Sequence, residues 1–409
     1  MPTATRAVAR PQTHDAAISP WLLLVLALLS AVAPVSTDLY LPAFPEMTAE
    51  LQASATAVQL TLTAFLLGLT FGQLMFGPLS DRLGRRRPLI VGALLCVVAS
   101  VVAATAPSIG ILIAARFAQG FTGAAGMVIG RAVISDLTGG EAAGRAFSLM
   151  MIVSGVAPVL APFAGGLLVD PLGWRGILWV VCAIAVVMLI STVAVVRESH
   201  PEERRAELKA HAAQGVSPLS ALRSRAYLAN TLAFGFGFSV MMAYISASPF
   251  VYQVMVGLTP MQYGIAFGLN AAGMITVSAV SARLSQRIAG ATLLGVGLGL
   301  TVTATLVLLA LVLTGAPAWL LPIPIFVAVA SQGLILGNAT ALALAAVPRA
   351  AGSGSAGLGA LQFGLGAAVS PLVGLGGEHT ALPLAVVMVT LSTLALAAFG
   401  AGRRERVAG

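Results

Sequence analysis

Two charged side chains that could carry a proton or form an ion pair lie inside long apolar stretches of this sequence. Asp38 stands four residues before the end of the first stretch, residues 20–42, and Arg116 stands seven residues into the fourth, residues 109–134. Withdrawal of water makes a carboxyl easier to protonate and a nearby cation makes it harder, so a carboxyl under both influences can take up and release a proton. The alternative for Asp38 is a structural, hydrogen-bonded carboxyl near the end of its stretch.

Arg116 could supply the counter-charge for Asp38, because the two residues lie at comparable depths. A guanidinium is costly in an apolar medium unless it faces a wet cavity or a partner. Gln119 lies one helical turn further along the fourth stretch and therefore on the same helix face. The alternative for Arg116 is a structural role, with its guanidinium bonded to backbone carbonyls.

The stretches that position these residues are long enough to cross a bilayer. Hydrophobic residues make up 58% of the 409 residues and charged residues only 9%, a composition typical of integral membrane proteins. About 20 helical residues span the ~30 Å hydrocarbon core. We expect twelve spans, at residues 20–42, 55–78, 87–106, 109–134, 144–168, 174–196, 226–251, 261–281, 290–313, 317–346, 353–376 and 380–401. Prolines near the start of the tenth span leave open a later beginning.

The distribution of the basic residues predicts the topology. The net charge of +8 lies in short segments between the spans rather than on one face, which argues against a nucleic-acid partner. Nineteen Lys and Arg residues fall in the tails and loops on the N-terminal side, and only Arg175 falls on the opposite side. Because positively charged loops stay in the cytoplasm, we expect both termini and the central loop on that side.

The densest group of charges lies between the second and third spans, with five charges in residues 81–87. Such charges do not sit in hydrocarbon, so we expect a tight turn over residues 77–88 at the membrane surface. Residues 281–287 match residues 80–86 at four of seven positions, at a displacement of 201 residues. The same displacement carries the second span onto the eighth, which indicates two parallel six-helix halves.

The motif in this turn, Gly77-x-x-x-Asp81-Arg82-x-Gly84-Arg85-Arg86, resembles the loop 2–3 signature of the major facilitator superfamily. The resemblance implies an all-α integral membrane fold with twelve transmembrane helices in two parallel six-helix halves. It also implies a cytoplasmic gate, in which glycines permit a tight reversal. Arg131 and Asp136 could join this gate, or Arg131 could snorkel to the interface. The gate residues that we expect are Gly77, Asp81, Arg82, Gly84, Arg85, Arg131 and Asp136.

Three further motifs resemble those of the Bcr/CflA group of drug:proton antiporters. The first span ends in Thr37-Asp38-Leu39-Tyr40-Leu41-Pro42-Ala43, and the fourth contains Arg116-Phe117-Ala118-Gln119-Gly120. The fifth contains Gly155-x-Ala157-Pro158-x-x-Ala161-Pro162-x-x-Gly165-Gly166, with Ala161 where many members have Gly. The resemblance implies that the first and fourth spans touch. It is strong in the N-terminal half, and in the C-terminal half it depends mainly on the span layout.

The fifth-span motif is associated with antiport in that group. Proline removes backbone hydrogen bonds and bends a helix, while glycine permits close packing. A bent, closely packed helix between two halves suits alternating access, although ordinary small-residue packing is the alternative. The residues of interest are Gly155, Pro158, Pro162, Gly165 and Gly166.

These observations together predict a proton-coupled exporter of small drug-like molecules that works by alternating access. The residues expected to bind proton or substrate are Asp38, Tyr40, Arg116 and Gln119. Since no other carboxylate lies well inside a span, we expect neutral substrates of the bicyclomycin or phenicol class rather than cations. Export of a metabolite, such as a sugar, an amino acid or a self-made secondary metabolite, is the main alternative.

Other classes of protein are disfavoured. An intramembrane enzyme would need a nucleophile–base or metal constellation, but the spans contain no histidine and no cysteine pair. A transport-inactive receptor would be expected to have a large loop or tail. We therefore expect no enzymatic activity, no metal, no cofactor beyond a proton gradient, and a monomer in the cell membrane. The expected regions are a tail at 1–19, halves at 20–196 and 226–401, a central cytoplasmic loop at 197–225 and a tail at 402–409.

Overall fold

The computed structural model describes residues 19–138, 140–199, 223–347 and 351–403, and these form helices and turns without a β-strand. The remaining residues of the expected tails and central loop lie outside the described residues. The long helices are α1 Pro20–Asp38, α2 Ala55–Leu83, α3 Arg86–Ala104, α4 Ile109–Leu137, α5 and α6 within Gly140–Val195, α7 Arg225–Pro249, α8 Pro260–Leu284, α9 Gly290–Leu313, α10 Pro322–Ala330 with Gln332–Ala345, α11 Ala351–Val369 and α12 Leu382–Arg403. A short helix, Phe44–Glu50, follows α1.

Gly173 divides the segment Gly140–Val195 into two helices, α5 (140–172) and α6 (174–195). Its φ of 65° lies in the left-handed region, which glycine adopts without a steric penalty, so the chain can reverse there. By length and apolar composition, the described residues contain eleven helical stretches able to cross a membrane, one of them the undivided Val156–Val195. The division at Gly173 makes the expected number of twelve.

The predicted turn between α2 and α3 was too long. Helix α2 continues through Leu83, so Asp81 and Arg82 lie in its last turn, and the reversal consists of Gly84 and Arg85. A helix keeps its backbone hydrogen bonds satisfied as it leaves the membrane, and its charged side chains can reach water from the last turn. Helix α8 likewise continues through Leu284 and includes most of the duplicated frame.

Two helices of the C-terminal half are irregular. Helix α10 follows a 3₁₀ turn, Ala318–Leu320, and is interrupted at Ser331. The later start agrees with the proline-rich sequence before it. Helix α7 passes at Pro249 into a six-residue π-helical segment, Phe250–Met255. Short π-helical segments are rare and are frequent at functional sites.

Glycines bring α2 and α4 into direct backbone contact. A Cβ atom added at Gly68 would lie 2.7 Å from the backbone nitrogen of Phe121, and one added at Gly72 would lie 2.7 Å from the Cβ of Ala124. Small residues at helix interfaces permit this approach within membranes. The contact fixes α4, which carries Arg116, against α2.

The outer surface of the bundle is apolar. Exposed side chains include those of Phe71, Val91, Val98, Ile190 and Leu269. A soluble protein rarely exposes so much contiguous apolar area, whereas such a surface suits the hydrocarbon of a bilayer.

Candidate functional site

Asp38 is the last residue of α1, and its side chain is only 5% exposed. The hydroxyl of Thr37 donates a hydrogen bond of 3.0 Å to Asp38 Oδ1. No ion pair between described residues includes Asp38. A buried carboxylate without a cation is costly unless water or a ligand reaches the group.

Arg116 is fully buried on α4. Its Nη2 donates to the carbonyl of Ser36 at 2.8 Å, and its Nη1 donates to Gln119 Oε1 at 2.5 Å. The guanidinium carbon lies 4.3 Å from the ring centre of Tyr40 and 4.5 Å from that of Phe65. Two aromatic faces and two oxygen acceptors therefore hold the cation in place.

A chain of polar contacts continues from Arg116 into α3. Gln119 Nε2 donates to Ser100 Oγ at 2.7 Å, and the hydroxyl of Ser100 donates to the carbonyl of Cys96. On the other side, the Tyr40 hydroxyl lies 3.0 Å from Thr61 Oγ1 on α2. The predicted residues Tyr40, Arg116 and Gln119 thus form one contiguous group across α1, α2, α3 and α4.

Asp38 is not part of an ion pair with this group. Arg116 bonds the backbone of Ser36, two residues before Asp38, so α1 and α4 touch as the motif resemblance implied. Its contacts match the structural alternative of a guanidinium bonded to a backbone carbonyl. The residues after Asp38, Leu39 and Tyr40, share one buried core with two phenols of the other half, Tyr244 and Tyr263.

A second charged network lies at the end of the bundle that carries residues 81–87, which we call the arginine-rich end. Arg85 Nη1 donates to Asp81 Oδ1 at 2.5 Å and to Ser80 Oγ at 2.8 Å, and its Nε donates to Asp136 Oδ2 at 2.9 Å. Burial of the guanidinium lowers the pKa of Arg85, but its hydrogen bonds and ion pairs with Asp136 and Asp81 outweigh this and raise the pKa above its ordinary value. Arg85 therefore stays charged and links α2, α3 and α4.

Glu198, which follows α6, joins the same network. Its two carboxylate oxygens accept the backbone N–H groups of Arg85 at 2.8 Å and Arg86 at 3.1 Å, so they occupy the positive N-terminus of α3. Arg86 Nε donates to the carbonyl of Val196 in return. We did not single out Glu198 from the sequence. The available signal was its position as the first acid after the sixth span.

The remaining predicted gate residues differ in backbone conformation, packing and exposure. Gly84 has a φ of 89° and lies against Glu198, so this position requires glycine. Gly77 lies inside α2, and a Cβ there would meet only a methyl of Val128 at an ordinary 3.8 Å, so the prediction that Gly77 permits the reversal is wrong. Arg82 is exposed, as is Arg131, which makes no hydrogen bond or ion pair with any described residue.

The glycines of the α5 motif pack against two different elements. A Cβ at Gly165 would contact the backbone of Leu39, and one at Gly166 would lie 3.0 Å from the Cα of Met261 on α8. A Cβ at Gly264 of α8 would lie 2.6 Å from the carbonyl oxygen of Pro162. Pro158 is half-buried, and the surroundings of Gly155 lie outside the described residues. Helix α5 thus packs tightly on α8, across the boundary between the halves.

Hydrogen bonds between the halves occur at the end opposite the arginine-rich end, which we call the far end. Gln59 Nε2 donates to the carbonyl of Ser246 at 3.1 Å, and Ser370 Oγ donates to the carbonyl of Gln59 at 3.2 Å. Thr56 Oγ1 also donates to the carbonyl of Gly374 at 2.8 Å. These residues were missed from the sequence, because hydroxyl and amide groups of this kind occur throughout the spans.

Arg175, the single basic residue predicted on the far side, has specific partners there. Its guanidinium pairs with Glu50 of the short helix and lies 4.1 Å from the ring centre of Trp174. Trp174 Nε1 also donates to Glu50 Oε2 at 2.6 Å. This contact fixes the α5–α6 turn against the short helix Phe44–Glu50.

Two sets of membrane-length helices with buried polar groups between them define a polytopic membrane protein, and the family that its sequence matches makes it a transporter rather than an enzyme. Residues 26–371 match the family model described as Major Facilitator Superfamily, and the chain belongs to that superfamily.

Relatives with sequence similarity confirm the resemblance to the Bcr/CflA group. The chain is 38% identical over 389 residues to "Uncharacterized MFS-type transporter YdgK" of Bacillus subtilis, covering 94% of this chain and 96% of that protein. It is 30% identical to "Bicyclomycin resistance protein homolog" of Haemophilus influenzae, with coverage of 91% and 94%. It is 26% identical to "Multidrug resistance protein MdtL" of Escherichia coli, with coverage of 60% and 61%.

Solved structures share the fold at low sequence identity. A bacterial homolog of the human lysosomal transporter Spinster, in an inward-facing and unoccupied conformation, aligns with a TM-score of 0.74 at 17% identity, covering 94% of this chain and 98% of that one. A D-xylose-proton symporter aligns with a TM-score of 0.67 at 13% identity, covering 92% and 96%. The major facilitator fold expected from the motifs is therefore confirmed.

Proposed function

We propose that this protein is a proton-coupled exporter of small, neutral, drug-like compounds of the bicyclomycin or phenicol class. One observation carries the proposal: Asp38 is a buried carboxyl with a single hydroxyl partner and no ion pair among the described residues. A carboxyl without a fixed cation can change its charge when water or substrate reaches it. In this chain that change occurs at the boundary between the two halves.

The energy source is a proton gradient, with no cofactor. One charge moved across 100 mV supplies about 2.3 kcal/mol, which is enough to concentrate a solute roughly fiftyfold. The names of the Haemophilus influenzae and Escherichia coli relatives support a drug as the cargo. A monomer in the cell membrane, with both termini in the cytoplasm, fits the excess of basic residues on one side.

The neutral character of the substrate follows from the same carboxyl. Arg116 is held by its own half, and Asp38 carries the proton, so no second acid remains deep in the bundle to attract a cation. A neutral solute requires no such acid. If the protein transports a permanently cationic dye such as ethidium but neither chloramphenicol nor bicyclomycin, this reasoning is wrong.

Transport into everted membrane vesicles under an imposed pH gradient tests the proposal. We expect wild-type vesicles to accumulate chloramphenicol or bicyclomycin, and we expect Asp38→Asn vesicles to accumulate no more than vesicles without a gradient. Asp170→Asn is a matched control, because Asp170 is exposed at the far end of α5. Undiminished gradient-driven accumulation by Asp38→Asn would overturn the assignment of the proton carrier. Accumulation of sugars or amino acids in place of the drugs would support the metabolite alternative.

A further inference from the structure

A cluster of polar side chains in the C-terminal half lies in the buried core that also contains Leu39 and Tyr40, the two residues after Asp38. It consists of Tyr244 on α7, Tyr252 in the π-helical segment and Asn270 on α8, and we call these three residues the phenol–amide cluster. Their side chains are 2%, 2% and 3% exposed. Leu39 and Tyr40 of the N-terminal half lie in the same buried core as Tyr244 and Tyr252, so the cluster lies at the boundary between the halves.

The cluster contains more hydrogen-bond donors than it can satisfy by itself. Asn270 Nδ2 donates to the Tyr244 hydroxyl at 2.8 Å and to the Tyr252 hydroxyl at 3.2 Å. Both phenol oxygens therefore act as acceptors, and the O–H of each phenol has no acceptor among the described residues. An unmatched donor in so buried a place is costly unless water or a ligand accepts its hydrogen bond.

This surplus does not depend on which way the amide of Asn270 is turned. An amide group offers two N–H donors, and each phenol offers one O–H donor. If the amide oxygen faced the phenols, it would accept both O–H groups, and the two N–H groups would find no acceptor within the cluster. In either orientation the cluster itself satisfies only two of its four donors.

Tyr263, whose ring lies 6.1 Å from that of Tyr252, centre to centre, has no unmatched hydrogen-bond donor. Its hydroxyl lies 2.9 Å from Ser248 Oγ, and the Ser248 hydroxyl donates to the carbonyl of Ile245 at 3.0 Å. The proton of Ser248 is therefore in use, and Tyr263 donates to the Ser248 oxygen. This phenol has a fixed acceptor, which makes it an internal comparison for Tyr244 and Tyr252.

The local backbone links the cluster to the movement of the halves. The π-helical segment Phe250–Met255 contains both Tyr252, which meets Asn270, and Gln253, whose Nε2 donates to the carbonyl of Pro42 at 3.0 Å. Pro42 follows Asp38 by four residues. Separation of the halves at the far end would therefore break the Gln253 contact beside the cluster.

We propose that the phenol–amide cluster is a substrate subsite whose two free donors bind a carbonyl or ether oxygen of a neutral solute. The proposal rests on the proposed function and names the chemical group that the C-terminal half recognises. Flanking rings supply apolar contact, since Phe267 lies 5.4 Å from the Tyr244 ring, centre to centre. A cation without an oxygen acceptor gains nothing from these donors.

Equilibrium binding to the purified full-length protein tests the subsite, with radiolabelled chloramphenicol as the oxygen-bearing probe and ethidium as a cation without a carbonyl oxygen. We expect Tyr244→Phe and Tyr252→Phe each to raise the Kd for chloramphenicol about two- to tenfold, as loss of one neutral hydrogen bond does. Tyr263→Phe is the matched control and is expected to leave that Kd unchanged. Any affinity for ethidium is expected to be the same in all four proteins.

The outcomes separate this inference from the proposed function. If wild type binds chloramphenicol and the two test variants bind it as tightly, or lose no more than Tyr263→Phe, the donors serve only water and the subsite is refuted alone. If wild type binds ethidium but not chloramphenicol, or binds neither, both the neutral-substrate proposal and the subsite are refuted. Thermal unfolding of each variant identifies a loss of binding that arises from misfolding, and a loss of that kind counts against the subsite.

Discussion

The network around Arg85 makes a prediction that differs from the one suggested by the sequence motif. Asp81 belongs to the motif, but its side chain is 63% exposed, whereas the side chain of Asp136 is 13% exposed and that of Arg85 is 8% exposed. An ion pair with an exposed partner contributes about 0.2–1 kcal/mol, because water screens it. A buried hydrogen bond to a charged group contributes about 1.5–3 kcal/mol.

We therefore expect Asp136→Asn to destabilise the protein by about 1.5–3 kcal/mol and Asp81→Asn by less than about 1 kcal/mol. The two substitutions are matched in chemistry and act on the same guanidinium. Arg85→Ala is expected to cost more than either, about 3–5 kcal/mol, because it leaves Asp136 buried without its cation. The raised pKa of Arg85 keeps its guanidinium charged at neutral and mildly alkaline pH, where these measurements are made.

Thermal unfolding of the purified protein in detergent, followed by tryptophan fluorescence, measures the ranking. At roughly 2–4 °C per kcal/mol, Asp136→Asn is expected to lower Tm by about 3–12 °C and Asp81→Asn by less than about 4 °C. An Asp81→Asn protein as unstable as Asp136→Asn would refute the argument from burial. An Asp81→Asn protein with normal Tm but impaired transport would support the predicted gate instead.

Three further substitutions test the packing of α2 and the buried Arg116 cation. Gly72→Ala places a Cβ 2.7 Å from that of Ala124 and is expected to cost at least about 1–3 kcal/mol. Gly77→Ala places a Cβ at an ordinary contact distance from Val128 and is expected to be neutral or to stabilise α2 by up to about 1 kcal/mol. Thermal unfolding checks both, and equal losses would contradict the assigned contacts. Arg116→Lys keeps the charge but loses the planar contact with two rings and one of two hydrogen bonds, so we expect a loss of about 2–4 kcal/mol in unfolding free energy; a stability unchanged within about 0.5 kcal/mol would contradict it.

The sequence predicted the fold almost completely, because the signals for it are local. Twelve stretches of bilayer length, one basic side and a repeated frame at 201 residues are all visible without tertiary contacts. The errors in boundaries also have a physical cause. Hydropathy marks where the chain leaves hydrocarbon, whereas a helix ends where a residue such as Gly84 can reverse the backbone.

The contacts of the candidate site could be predicted only in part. The sequence identified Asp38 and Arg116 as unusual, since a charge in an apolar stretch is visible by itself. It did not reveal that Arg116 would bond the carbonyl of Ser36, because every residue offers a carbonyl and only the packing decides which one is near. Nor could the sequence rank Asn270 or Gln59 above the other polar residues in the spans, because only the packing decides which of them meet a partner.

The two ends of the bundle differ in the interactions that would break if the two halves rocked against each other. The ion pairs of Arg85 join elements of the N-terminal half to each other, so they can persist while the halves move as rigid bodies. The hydrogen bonds of Thr56, Gln59, Gln253 and Ser370 cross between the halves, and opening of the far end must break all four. At about 0.5–1.5 kcal/mol each, they hold the far end closed by about 2–6 kcal/mol in total. A proton that crosses 100 mV supplies about 2.3 kcal/mol, which offsets the lower end of this range but not its upper end, so far-end opening by one proton requires these four bonds to be individually weak.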